Sequence, residues 1–169
     1  MVAGDKTSTC AECGAALAPG RVCRDYFHDL LAIEAEVPGA SGGELHFLAV
    51  ATYNLQHPSG FVPAALVGLQ GSIADVLAGQ ATLADVLKRA RAAAEGPTRV
   101  QRRTDTELTE AERDVLRAWP TRWTMTVRDV TESPPARYAE RVRAWAMAVS
   151  SALVNLPEQP TTRARAVLP

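Results

Sequence analysis

Apolar residues recur at helical spacing along most of this chain. The first such segment predicts a helix over residues 24–36, which Pro38 and Gly39 end. The second predicts a helix over residues 44–57, which stops at Pro58 because proline cannot continue the hydrogen-bond pattern of a helix. The connection between these two helices is short, so we expect them to be antiparallel neighbours.

Capping signals predict further helices in the rest of the chain. Pro63 suits the first turn of a third helix. Helices are also predicted over residues 82–94 and 136–154. Three threonines are followed by an acid three residues later, the pattern of a capping box: Thr82 with Asp85, Thr109 with Glu112, and Thr126 with Asp129. The last pair lies in the stretch 122–130, for which a short strand and another helical turn both stay open.

The composition agrees with a single helical domain. The chain has 169 residues, of which 47% are hydrophobic and only 5% aromatic. Abundant alanine and leucine with few aromatic residues favour helices over sheets. We therefore predict a mainly α fold, in which one metal-binding domain over residues 10–155 packs a cysteine loop on the helical hairpin. Residues 1–9 and 156–169 are expected to be flexible ends.

The segment hydropathy and the charge restrict the environment and the partners. No run approaches the roughly 20 apolar residues that cross a bilayer, and the first residues lack the pattern of a secretory signal. We expect a cytoplasmic protein without a membrane partner. The net charge of −1 gives no general attraction to nucleic acid.

The cysteines are the clearest candidate for chemistry. Cys10 and Cys13 are two residues apart and Gly14 follows them, while Cys23 lies ten residues further on. Two intervening residues let both thiolates reach one ion, and the glycine lets the backbone turn behind them. Cytosolic thiols rarely form structural disulfides, which makes a metal site, most simply zinc with iron as the alternative, the leading interpretation. A redox dithiol and inert cysteines are the competing ones.

Helix geometry favours His57 as the fourth ligand. In an antiparallel pair, the start of the first helix, beside Cys23, meets the end of the second, which carries His57. His46 lies eleven residues earlier, about 16 Å along the helix axis, and should instead face Glu34 or Glu36. The alternative for His57 is a helix-end histidine that binds the last carbonyls. The third histidine, His28, is expected at the surface.

The motifs resemble those of an uncharacterised bacterial family described only as a domain of unknown function. The resemblance rests on the cysteines, on a segment that reads His-x-x-x-Val-x-x-Tyr-x-x-Gln-His-Pro over residues 46–58, and on Trp-x-Met-Thr-Val over residues 123–127. It covers roughly residues 10–150. It implies no reaction, but it implies that five family positions form one site: Glu34, His46, Tyr53, Gln56 and His57.

Three classes of function follow from these features. Three cysteines and a histidine would fill a tetrahedral zinc shell, which predicts a structural site and a surface that binds a protein partner. A metal-dependent enzyme or sensor is the alternative, with the polar cluster Glu34, His46, Tyr53 and His57 as its site. Nucleic-acid binding is disfavoured, because an acidic segment follows the basic residues that would carry it: Lys88, Arg89, Arg91, Arg99, Arg102 and Arg103.

Overall fold

The computed structural model describes residues 8–95 and 108–154 and confirms a mainly helical fold. One small antiparallel sheet precedes the helices, with Ser8 opposite Leu17 and Thr9 opposite Ala16. The elements are β1 (Ser8–Thr9), β2 (Ala16–Leu17), α1 (Cys23–Glu36), α2 (Glu44–Gln56), α3 (Pro63–Leu77), α4 (Leu83–Glu95), α5 (Glu110–Ala118), α6 (Val127–Thr131) and α7 (Tyr138–Leu153), with 3₁₀ turns at Pro58–Gly60 and Pro135–Arg137.

The predicted helix starts agree with the observed ones to within about two residues. Pro63 is the first residue of α3, and Thr109 caps α5 with the expected bond from the Glu112 amide. The open stretch 122–130 contains helix α6, capped by Thr126 and Asp129, rather than a strand. No helix in the described parts of the chain combines the length and the apolar character that a bilayer crossing needs.

The N-terminal region differs from the expectation in two ways. Ser8 and Thr9, which the sequence places in a loose segment, form strand β1. Cys23 is the first residue of α1 and not the residue before it. The predicted flexible tail, 156–169, lies outside the described residues.

The core is built around α2. This helix packs closely on α7 and on α3, while α1 packs on α6. Trp145 of α7 is fully buried, and its indole N–H donates to the side chain of Gln56 on α2. The other large side chains with almost no exposed surface come from five of the helices: Leu30, Leu48, Leu55, Leu66, Ile73, Leu153, Val127, Val142 and Val149.

The α1–α2 pair is antiparallel, but long side chains rather than close backbones join the two helices. Near the start of α1, Phe27 stacks on Tyr53 with ring centroids 4.1 Å apart. Near the end of α1, Glu34 accepts a hydrogen bond from His46 at the start of α2. This arrangement brings the first residue of α1 beside the residue that follows α2.

Candidate metal centre

Four candidate ligand side chains converge at one end of the α1–α2 pair. The sulfur atoms of Cys10, Cys13 and Cys23 and a ring nitrogen of His57 all lie within 4.8 Å of one another. Cys10 and Cys13 come from the turn between β1 and β2, Cys23 begins α1, and His57 directly follows α2. Three separate segments of the chain therefore meet at a Cys₃His group that is positioned to hold a metal ion.

Two of the distances among these atoms agree with the edges of a tetrahedral metal shell. Ligands at about 2.3 Å for sulfur and about 2.0 Å for nitrogen form a tetrahedron with edges of about 3.5–3.8 Å. Cys13 Sγ lies 3.5 Å from Cys23 Sγ, and Cys10 Sγ lies 3.6 Å from His57 Nε2. No disulfide joins these cysteines, all three of which are free thiols. The donor set and these two distances thus fit a four-coordinate soft cation.

A tight turn presents the first two sulfurs. The Cys10 amide donates to the Ala15 carbonyl and the Gly14 amide donates to the Cys10 carbonyl, each at 2.9 Å. Gly14 has a φ of 73°, in the left-handed region, and a Cβ there would meet the Thr121 carbonyl oxygen at 3.3 Å. The glycine is therefore required both by the backbone conformation and by the close approach of the neighbouring loop.

His57 is held with one defined nitrogen toward the cysteines. Its Nδ1 lies 2.7 Å from the Tyr53 carbonyl oxygen, which can only accept, so Nδ1 carries the proton. The lone pair of the neutral ring is then on Nε2, the atom that faces Cys10. The Tyr53 ring stacks on the imidazole at 4.0 Å between centroids and fixes its plane. A backbone carbonyl that fixes the tautomer is the usual support of a metal-ligating histidine.

Protons are shared unequally among these groups. A hydrogen bond with Cys23 lowers the pKa of Cys13 to about 4, and the same bond together with burial raises the pKa of Cys23. Burial raises the pKa of Cys10. Burial disfavours the imidazolium form of His57, but the hydrogen bonds with Cys13 and with the Tyr53 carbonyl and the nearby negative charge together outweigh burial and raise the pKa of His57. Three adjacent thiols resist full deprotonation on their own, and a bound cation supplies the charge that removes this resistance.

The predicted polar cluster is divided among three places. Glu34 and His46 meet near the far end of α1, where His46 Nδ1 lies 2.7 Å from Glu34 Oε1. Tyr53 belongs to the metal centre, two helical turns from His46 on the same face of α2, about 10 Å along the axis. Gln56 is fully buried in the core. These residues therefore do not form one site.

Gln56 joins α2 to two distant parts of the chain. Its side-chain amide donates to the Met125 carbonyl at 2.7 Å, and its oxygen accepts from the Trp145 indole at 3.1 Å. Both polar atoms of this buried side chain therefore form hydrogen bonds to other parts of the chain. These two hydrogen bonds hold the last residue of α2 in place, and His57 directly follows that residue.

Tyr138 and Glu12 are two partners that the sequence analysis missed. The Tyr138 hydroxyl donates to Glu34 Oε2 at 2.6 Å, and burial together with this bond raises the pKa of Tyr138. In the sequence, Tyr138 stands at helical spacing with the apolar residues of the last predicted helix, so the pattern gives no sign of a polar partner. Glu12 accepts from the Ser59 amide at 3.0 Å and so ties the cysteine turn to the 3₁₀ turn after His57. The only sign of Glu12 in the sequence is that an acidic residue stands between Cys10 and Cys13.

The remaining candidates lie away from the metal centre. His28 is exposed on α1, as expected. Of the basic residues weighed for nucleic acid, Arg89 forms an ion pair with Asp75 at 2.7 Å, and Lys88 and Arg91 are exposed on α4. The other three lie outside the described residues: Arg99, Arg102 and Arg103.

Comparisons with known proteins place the chain in a family without assigning it a reaction. Searches of the curated proteins and of the solved structures found no match. One family model, described as a family of unknown function (DUF5946), matches residues 8–154. This match covers the cysteine turn and all seven helices. The chain belongs to the DUF5946 family of unknown function.

Proposed function

We propose that this chain is a small zinc-binding protein whose Cys₃His centre is structural. The observation that carries the proposal is the convergence of four ligand atoms within 4.8 Å from three separate segments. Zinc is preferred because it takes mixed thiolate and imidazole shells in tetrahedral geometry and has no redox chemistry of its own. Iron accepts the same ligands and is the alternative occupant.

The proposed role of the metal is to fasten the N-terminal hairpin to the helices. Cys10 and Cys13 lie on the hairpin, whereas Cys23 and His57 belong to the helical body. A cation shared by all four fixes the hairpin against both α1 and the end of α2. Four protein ligands fill a tetrahedral shell and leave no position for water, which is the arrangement of structural rather than catalytic zinc sites.

A metal-dependent enzyme or sensor is less well supported by the geometry. An enzyme or sensor requires an open coordination position on the metal. His57 would have to turn away from the metal to provide one. The hydrogen bond to the Tyr53 carbonyl and the stacking on the Tyr53 ring both oppose that rotation. His46 and its partner Glu34 lie near the other end of α2 and cannot serve the same ion. A protein partner and a cytoplasmic location stay predictions.

Metal content per chain tests this proposal directly. The wild type, His57→Ala and the control His28→Ala are purified with a thiol reductant and without added metal, and their metals are measured by plasma mass spectrometry. His28 is a suitable control because it is exposed and outside the Cys₃His group. We expect about one equivalent of zinc in the wild type and the control, and a clear loss in His57→Ala.

The other outcomes separate the alternatives. Full zinc retention in His57→Ala would show that the cysteines bind without the histidine and would support an open, reactive site. Iron in place of zinc would redirect the assignment of the metal but keep the ligands. A wild type that holds no metal even after reconstitution with one equivalent of Zn²⁺ would refute the proposal.

A further inference from the structure

A second site is indicated near the other end of α2, where His46 lines a small groove. The groove lies between α2, α3 and α4 and has a volume of about 220 Å³. Its wall is largely apolar, and apart from His46 its polar side chain is Asn54. The apolar side chains are Phe47, Val50, Ala51, Leu69, Leu83 and Leu87. Among the residues that the structure describes, no Asp, Glu, Lys or Arg lines the groove.

His46 is a supported group at the edge of this groove. Its Nδ1 donates to Glu34, a residue that is only 3% exposed and whose carboxylate also accepts from the Tyr138 hydroxyl. Both carboxylate oxygens are thus occupied by donors, which fixes the imidazole plane and its tautomer. The ring keeps 43% of its side-chain surface exposed. Its second nitrogen, Nε2, makes no hydrogen bond within the described residues.

We propose that the groove binds a small neutral molecule with an apolar body and one hydroxyl group, which donates a hydrogen bond to His46 Nε2. This site is independent of the metal centre. It supplies what such a molecule needs, an apolar wall for the body and one oriented acceptor for the hydroxyl.

The size and charge of the groove restrict the ligand class. An apolar cavity of about 150 Å³ accommodates benzene, so about 220 Å³ suits one ring with a short substituent. An anionic ligand would lie close to the buried Glu34 carboxylate without a cation in the lining, which costs energy. A cation would find no acidic side chain in the wall. A neutral hydroxyl compound is therefore preferred over a carboxylic acid or an amine.

Ligand titration with 4-methylphenol tests the proposal. The wild type is titrated at pH 8, where an imidazole is ordinarily neutral, and the ring nitrogens of the three histidines are followed by NMR. We expect saturable binding near about 1 mM, a normal affinity for so small a ligand, with the shift confined to His46. Toluene, which lacks the hydroxyl, should bind about tenfold more weakly, and 4-methylbenzoate should not compete.

Two surface substitutions keep the test clear of folding effects. Leu87→Glu places a charge in the groove wall at a position that is 47% exposed, and it should abolish binding. Met147→Glu is the matched control, because Met147 is 52% exposed on α7 and does not line the groove. The proposal would be overturned if toluene bound as tightly as 4-methylphenol or if Leu87→Glu still bound 4-methylphenol. Binding without a shift of the His46 ring nitrogens would overturn it as well.

Discussion

Removal of the metal should release the N-terminal hairpin and leave the helices folded. The hairpin spans residues 8–17 and contains both strands of the sheet. Holding roughly ten residues in one backbone conformation costs about 10–20 kcal/mol. This conformational cost is the quantity that the contacts of the hairpin and its metal bonds must offset.

The contacts of the hairpin alone fall short of that cost. Its buried apolar side chains other than cysteine are Ala15 and Leu17, which contribute about 3 kcal/mol. Hydrogen bonds such as those of the turn and the bond from Arg128 to the Ala16 carbonyl contribute about 1 kcal/mol each, or about 5 kcal/mol together. Structural zinc supplies about 10–16 kcal/mol in small domains, which closes the balance.

Hydrogen exchange provides the assay. Zinc is removed with a chelator in the presence of a thiol reductant, and its loss is verified by mass spectrometry. Amides of residues 8–17 should then lose their protection, including the Cys10 and Gly14 amides that bind within the turn. Amides of α7, the helix that contains the fully buried Trp145, should keep their protection. The helical circular dichroism signal should also persist.

Either of two results would refute the predicted release of the hairpin. Unchanged protection over residues 8–17 in protein shown to be free of metal would mean that the hairpin is held by its own contacts. Simultaneous loss of protection in α7 would mean that the metal stabilises the whole domain and not one segment. Re-addition of Zn²⁺ serves as the control, because it should restore the hairpin without altering α7.

Substitutions at four positions probe individual contacts. Tyr53→Leu removes the ring that stacks on the imidazole and should weaken zinc binding about tenfold in a chelator competition, whereas Tyr53→Phe should not. Gln56→Leu leaves a buried indole and a carbonyl unpaired and should lower the free energy of unfolding by about 2–5 kcal/mol in urea. Gly14→Ala forces a left-handed residue against a carbonyl, which should cost about 1–2 kcal/mol and reduce zinc retention. Hydrogen bonds with Thr109 lower the pKa of Glu112. The cap therefore stabilises α5 fully above the ordinary glutamate pKa, and this stabilisation is lost as the pH falls through the lowered pKa. Glu112→Gln should abolish the acid-dependent fraying of α5 in an NMR titration.

Local signals account for most of the helices that the sequence predicted. A proline in the first turn, as at Pro63, and a threonine with an acid three residues later, as at Thr109, act within one turn of helix. Their physical effect does not depend on the rest of the fold. The strands β1 and β2 are two residues each, too short for any periodicity, so the sequence held no comparable signal for them.

Contacts between distant residues were predictable only where a helix pair fixed them. The antiparallel arrangement of α1 and α2 brought His57 beside Cys23 and His46 beside Glu34, and both pairings follow from helix rise alone. Tyr138 lies 104 residues from Glu34, and nothing local in the sequence links them. The same reasoning explains why the expected polar cluster is divided, since residues seven apart share a face but not a site.

The two ends of the α1–α2 pair are fixed by different chemistry. At one end four metal ligands converge, and at the other Glu34 is held between His46 and Tyr138. A buried carboxylate contributes little net stability, but it tolerates few alternative arrangements, and it thereby fixes the relative register of the helices that meet there. About 16 Å of helix separates His46 from His57, and the packing of α2 on α7 and α3 supports the length between them. The proposed metal at one end and the proposed small ligand at the other would therefore act on separate contacts, and we expect each to bind and to be removed without the other.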